Sequence, residues 1–310
     1  MADTTLSIHK ILCPTDFSDS ATGAFAESVR LARWFGARVT VLHVMPFAVP
    51  AEGDVGYVPI PITSDEAVRK AKLSEIQCFV DATEHTGVPI ETMCWEGLPT
   101  QQIRSAVRAT GADLVVMGTH GRSGFKRLAL GSVTETVLRD PPAPVLTVHR
   151  DVARRRGLFR RMICATDVSE RTARTIAVAM ALADEGAKSL TVLNVIEEGR
   201  ESSRGDLERA ALAALEKLIP DEARSSYRIE EHVAFGQANR EILRVAAEEE
   251  ADLIVMGAHR HGALGDLFGS TVRSVVRDAA CPVLLVPTGH AWPMTGVVTR
   301  ENAEAVGPSV

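Results

Sequence analysis

LVVMGTHGRSGFKRLALGSVTETV, residues Leu114–Val137, passes from an apolar run through glycines to a helix start. Leu114–Met117 is expected to be a short buried strand. Glycines follow at Gly118, Gly121, Gly124 and Gly131, and Ser132-Val133-Thr134-Glu135 begins a helix. A helix N-terminus presents unpaired backbone N–H groups and a partial positive charge, so a strand, a glycine loop and a helix start together make a place for an anion. Glycines let backbone N–H groups approach a phosphate with no Cβ between them. A near copy returns at Leu253–Val275, which makes duplication the organising feature of the chain.

Outward from this stretch, strands alternate with helices. Lys10–Cys13 is the first strand, followed by Asp16 in CPTDFSDS. Ser18 or Ser20 caps a helix that carries Ala21, Ala24, Phe25, Ser28, Ala32 and Phe35 at helical spacing and ends at Gly36. Val39–Val44 is apolar on both faces, as a parallel strand covered by helices would be. Residues 46–63, with four prolines and two glycines, admit no helix and form a long loop. Tyr57 and Phe47 pack either over a ligand or onto their own domain. Ser64-Asp65-Glu66 caps a helix running to about Thr86, and Pro89–Cys94 is a third strand. A helix with Ile103, Ala106, Val107 and Thr110 on one face stops at Gly111, and Val145–Val148 closes the unit. This alternation means a parallel α/β sheet.

The order then repeats. MICATDVS (162–169) matches ILCPTDFS (11–18), ADLIVMG (251–257) matches ADLVVMG (112–118), and CPVLLVP (281–287) matches APVLTVH (143–149). The offset falls from 151 residues at Asp16/Asp167 to 139 at Gly118/Gly257, so the second copy lacks the proline-rich loop and has the short polar segment Glu197–Arg204 instead. The expected division is a first domain at 1–150, an Arg-rich linker at 151–160, a second domain at 161–287 and a weakly patterned tail at 288–310. The linker, within RDVARRRGLFRR (150–161), is either a solvated connector or a seat for an anionic partner.

Composition narrows the function classes. The 310 residues suit two domains of about 150. A net charge of −6 argues against general nucleic-acid binding, which needs a basic face. No apolar run approaches the ~20 residues needed to span a bilayer, and no basic-then-apolar leader opens the chain, so a cytoplasmic protein off the membrane is expected. The five cysteines, Cys13, Cys78, Cys94, Cys164 and Cys281, form no CxxC pair and are expected to be reduced, buried thiols. Neither a P-loop signature, a G-x-G-x-x-G after a strand, a G-x-S-x-G elbow nor a paired metal-ligand spacing occurs.

In open parallel sheets, ligands sit beyond the C-terminal strand ends where the strand order reverses. Asp16, Val44 and the loop from Gly118 to Ser132 converge there. Asp16 suits a ribose hydroxyl or an amino group, the Val44 backbone suits the edge of a base, and the loop and helix start suit phosphates. The spacing G-x2-G-x9-G-[ST] at Gly118, Gly121, Gly131 and Ser132, with Pro14-Thr15-Asp16, resembles the ATP-binding branch of the universal stress protein family. The duplication is similar to that of its tandem members. The resemblance covers residues 8–149 and 160–287. It implies two Rossmann-like α/β domains of the adenine nucleotide alpha hydrolase type. Each would hold a five-stranded parallel sheet, ordered 3-2-1-4-5, flanked by helices. It implies ATP, with or without Mg2+, held by Pro14, Thr15, Asp16, Val44, Met117, Gly118, His120, Gly121, Gly131, Ser132, Val133 and Thr134. It also implies pairing of domains through their fifth strands, within the chain or in a homodimer.

The second copy keeps Asp167, Val195, Met256, Gly257, His259, Gly269 and Ser270, and its corresponding set also takes in Ala165, Thr166, Thr271 and Val272. It departs at Arg260, which stands where the first copy has Gly121, and its loop is one residue shorter: eleven residues between Gly257 and Gly269 against twelve between Gly118 and Gly131. A glycine needed for φ > 0 or for close backbone approach would be lost at roughly 1–2 kcal/mol; alternatively Arg260 offers a guanidinium to a phosphate. The first site is therefore the expected binder. His120 and His259 are expected to contact ribose or phosphate rather than act as bases, and Arg122, Lys126 and Arg127 are either phosphate contacts or solvated. The functional expectation is a stress-response protein that binds ATP for regulation or sensing, with slow hydrolysis at most. The rival is an interaction scaffold with degenerate sites, working through loop 46–63, the linker or the tail.

Overall fold

The computed structural model describes residues 8–46, 66–121, 130–149, 159–169, 172–184, 187–197, 203–219, 224, 228–258 and 269–287. The expectations for residues 47–65, Arg122, Lys126, Arg127, the linker's arginines at 154–156, His259, Arg260 and the tail lie outside them. The chain divides into two compact units, one running from Ile8 to Arg154 and the other from Arg155 onward.

In the first unit, β1 (Lys10–Thr15), α1 (Asp19–Phe35), β2 (Arg38–Met45), α2 (Glu66–Asp81), β3 (Ile90–Glu96), α3 (Pro99–Thr110), β4 (Leu114–Gly118), α4 (Ser132–Arg139) and β5 (Val145–Val148) follow in turn. All strand pairs are parallel, in the order β3-β2-β1-β4-β5. The central strands are buried on both faces: Ile11, Leu12, Cys13, Val39, Val41, Val115 and Val116 are all essentially inaccessible. This is why they read as continuous apolar runs rather than alternating ones.

The second unit repeats the pattern with β6 (Arg161–Thr166), α5 (Thr172–Asp184), β7 (Ser189–Ile196), α6 (Arg204–Leu218), β8 (Arg228–Phe235), α7 (Ala238–Glu248), β9 (Leu253–Ala258), α8 (Ser270–Asp278) and β10 (Val283–Pro287). Its order, β8-β7-β6-β9-β10, is the same 3-2-1-4-5 arrangement.

Local signals set most boundaries. Ser18 is the N-cap of α1, accepting from the Ala21 N–H at 3.2 Å, and Gly36 closes the helix in the left-handed region at φ 65°. Helix α2 stops at Asp81, five residues before the expected Thr86. The Thr83 N–H bonds back to Val80 O, three residues away, so the last turn tightens and the α pattern ends there. Among the described residues no helix is long and apolar enough to cross a membrane.

The cysteines divide differently from the expectation. Cys13, Cys94, Cys164 and Cys281 are buried and free, but Cys78 is exposed on α2. With Gln77 it lies on the outward side of the helix, away from the buried Ile76 and Val80. Burial pushes the Cys13 and Cys164 thiols up to about 12, with the Ser28 hydroxyl pulling Cys13 slightly back. Burial also raises Cys94. In native protein, iodoacetamide should therefore label Cys78 well before Cys13 or Cys164, as peptide mass spectrometry would read. The thiols also make stability depend on pH. Their folded values lie above the ordinary value near 9, so their contribution is complete below that pH. It declines as pH rises from about 9 toward 12, because the unfolded chain ionises first.

Candidate nucleotide site

At the C-terminal end of β1 both units make the same two-step turn. Phe17, at φ 63°, donates its N–H to the Thr15 hydroxyl at 3.0 Å, and the Ser18 N–H donates to Asp16 Oδ1 at 3.0 Å. In the second unit Val168, at φ 58°, donates to Thr166 and Ser169 donates to Asp167 Oδ1, again at 3.0 Å. A left-handed Val is sterically disfavoured, and persists only where the surroundings over-determine it. The side chains of the two preceding residues, accepting from the residue's own amide and from the next one, supply that determination. One oxygen of Asp16 thus holds its own turn, a role that its ligand chemistry alone does not reveal.

The end of β4 is stitched to two helix starts. Gly131 N–H donates to Thr119 O at 2.8 Å and the Thr134 hydroxyl donates to Gly118 O at 2.8 Å, which fixes α4 against the strand end. The N-cap, Gly131, brings no side-chain hydrogen bond, so no side chain of that residue covers the helix start. On the other side, the Ser20 hydroxyl lies 3.3 Å from the His120 N–H and 3.4 Å from Val148 O.

His120 is anchored from behind: its Nδ1 lies 2.9 Å from the Thr119 hydroxyl, which also lies 3.2 Å from His149 Nδ1. The two rings stand 5.9 Å apart. His120 Nε2 is buried and has no hydrogen-bond partner among the described residues. Buried polar nitrogens are normally satisfied, so this one asks for a partner that the described residues do not provide.

These pieces enclose a cleft of about 360 Å³ between β1, β2, β4 and the start of α4. All twelve residues expected of the first site line it, from Pro14, Thr15 and Asp16 through Val44, Met117, Gly118, His120 and Gly121 to Gly131, Ser132, Val133 and Thr134. Five others were missed: Ala21, Leu42, His43, Pro99 and Ile103. His43 holds Thr15 O through Nδ1 at 2.9 Å and packs against Phe17, 4.5 Å between ring centroids. Its signal was present in the sequence, because it immediately precedes Val44 at the end of β2.

Gly121 does not need a positive φ; a Cβ there would meet Asp16 Oδ2 at 2.9 Å. The constraint is close approach to the β1 turn, the second of the two possibilities the sequence allowed.

The second unit carries its own cleft, also of about 360 Å³. Ala165, Thr166, Asp167, Val195, Met256, Gly257, Gly269, Ser270, Thr271 and Val272 line it. Asn194 replaces His43 and makes the same bond, donating to Thr166 O at 2.9 Å. Thr172 and Thr175 of α5, absent from the expected set, also line it. Among the described residues no cluster of three or more His, Cys, Asp or Glu side chains is placed to hold a metal.

A family model for the universal stress protein family matches residues 7–149 and again 158–287. The chain belongs to that family. It is 35% identical over 147 residues to Universal stress protein MJ0531 of Methanocaldococcus jannaschii, a match covering 46% of this chain and 82% of the relative. Against Universal stress protein Slr1230 of Synechocystis it is 25% identical over 310 residues, covering 89% of this chain and 99% of the relative. The crystal structure of a universal stress protein from Archaeoglobus fulgidus superimposes with a TM-score of 0.68 at 26% identity, covering 90% of this chain and 98% of the other. The chain is thus a tandem universal stress protein with two α/β domains.

Proposed function

We propose that this tandem universal stress protein binds ATP in its first-half cleft as a regulatory or stress-sensing event, with slow hydrolysis at most. The observation that carries the reading is His120, which lines a cleft beside the start of α4 and whose buried Nε2 has no partner among the described residues.

The residues present fit the nucleotide. A volume of about 360 Å³ lies within the range of small-molecule sites. The helix start at Ser132 faces the same cleft and suits phosphate. Leu42, Val44, Pro99 and Ile103 give the cleft an apolar wall suited to a base. Any Mg2+ would arrive on the phosphates, as that ion commonly does. Both polar side chains are held in place by the fold, each through one atom. Asp16 Oδ1 holds its turn and His120 Nδ1 bonds to Thr119.

Titration calorimetry of the full chain with ATP should show saturable binding. His120→Ala should weaken it about tenfold, the loss expected for one hydrogen bond to a ligand. Gly131→Ala should weaken it too, because a Cβ there would stand 3.3 Å from Thr119 O and shift the helix start. No heat of binding up to millimolar ATP, or full affinity in both variants, would overturn the reading.

A further inference from the structure

The two clefts differ where α1 and α5 enter them. In the first unit Ala21 and Ala24 stand on the opening turns of α1, and Ala24 is fully buried core. The matching residues of the second unit are Thr172 and Thr175, each 1% exposed. The Thr172 hydroxyl is satisfied, donating to Asp167 Oδ1 at 2.7 Å. The Thr175 hydroxyl is not: Oγ1 is buried and has no hydrogen-bond partner among the described residues, and the residue is among those that line the second cleft.

A buried hydroxyl without a partner destabilises the fold, and valine has nearly the same shape without that penalty. The first unit manages the same position with an alanine. Packing therefore gives no reason for the threonine. A ligand that bonds to Oγ1 does. Leu193, Val195, Ala238 and Ile242 make the facing wall apolar, so the hydroxyl is the polar mark on that side. At the other end, Gly269 brings no side-chain cap to the start of α8, leaving a seat suited to phosphate.

We infer that the second cleft is a re-specified nucleotide site rather than a worn copy of the first. Thr175 is the residue that selects its ligand, a nucleoside phosphate that sets a hydrogen-bonding atom of its base or sugar against α5. The inference extends the proposed function to the second half and rests on it. Thr175 Oγ1 can donate or accept, so ATP, GTP, CTP and UTP are the probes.

The test is amide NMR of the full chain titrated with each nucleotide. Ser132 and Val133 report the first cleft, and Ser270 and Thr271 the second. Thr175→Val should raise the melting temperature of the ligand-free protein by about 2–4 °C. It should weaken the best nucleotide at the second cleft about tenfold and leave the first-cleft affinity unchanged. Thr175→Ser, which keeps the hydroxyl, should retain binding.

A lower melting temperature in Thr175→Val, or unchanged second-cleft affinity for all four nucleotides, would overturn the inference. First-cleft shifts without second-cleft shifts would overturn it alone. Absence of both would overturn the proposed function as well.

Discussion

Gly118→Ala should destabilise the first unit by about 2–3 kcal/mol, the upper part of the range for overfilling a packed site. A Cβ at Gly118 would lie 2.4 Å from Ser20 Oγ, 2.7 Å from the Ser20 carbonyl carbon and 2.9 Å from Ser20 Cβ. The hydroxyl could rotate away, but the carbonyl carbon belongs to the first turn of α1 and moves only with the helix. That helix is pinned by Phe25, Val29 and Ala32 in the core. Urea unfolding of the full chain should show the first unit's transition moved to lower denaturant, with the second unit's transition unmoved. Pairing the change with Ser20→Ala should recover only part of the loss, since the backbone contact remains. An unshifted transition, or full recovery in the double variant, would refute the packing explanation. Glycine at this strand end is thus required by the approach of helix to strand, before any phosphate is considered.

This glycine shows what the sequence could and could not convey. The spacing of Gly118, Gly121 and Gly131 was legible as a loop that leaves room for something. The chain's own neighbours, Ser20 and Asp16, occupy part of that room. Spacing records the need for a small residue without saying what presses against it. The strand order and the first cleft's twelve residues were legible only through the resemblance to the universal stress protein family, although each of those residues lies at a strand end or helix start. Ala21, Pro99 and Ile103 were not, because they reach the cleft from helices whose faces otherwise serve the core. The equivalence of His43 and Asn194 was hidden for another reason. An imidazole and an amide look unrelated in sequence, yet both place a nitrogen 2.9 Å from the carbonyl at the end of the first strand. Thr175 was hidden because a threonine at a helical core position is unremarkable until its hydroxyl is found without a partner.

Asp113→Ala should be the most damaging single change to sheet assembly in the first unit, at about 3–4 kcal/mol. Its carboxylate Oδ2 accepts the backbone N–H groups of His9, at 2.8 Å, and Lys10, at 2.9 Å, while its own N–H donates to Lys10 O at 2.8 Å. Three bonds thus fasten the start of β1 to the start of β4, the two central strands. Hydrogen bonds to a charged group contribute about 1.5–3 kcal/mol each, and truncation removes two while leaving their donors without an acceptor. The second unit repeats the clamp at Asp252, whose carboxylate accepts from Arg160 and Arg161 at 2.9 Å. Asp113 is buried and Asp252 only half-buried, so water can replace more of the second clamp. Asp252→Ala should therefore cost less, about 1–2 kcal/mol. Asp113→Asn keeps one carbonyl acceptor and should fall between wild type and alanine. Denaturant unfolding gives the order of the three variants. Hydrogen exchange gives the cause, because faster exchange should appear at the His9 and Lys10 amides in Asp113→Ala and at the Arg160 and Arg161 amides in Asp252→Ala. Equal, sub-kilocalorie losses in both alanine variants, with those amides still protected, would mean that the sheet register is held by strand burial alone.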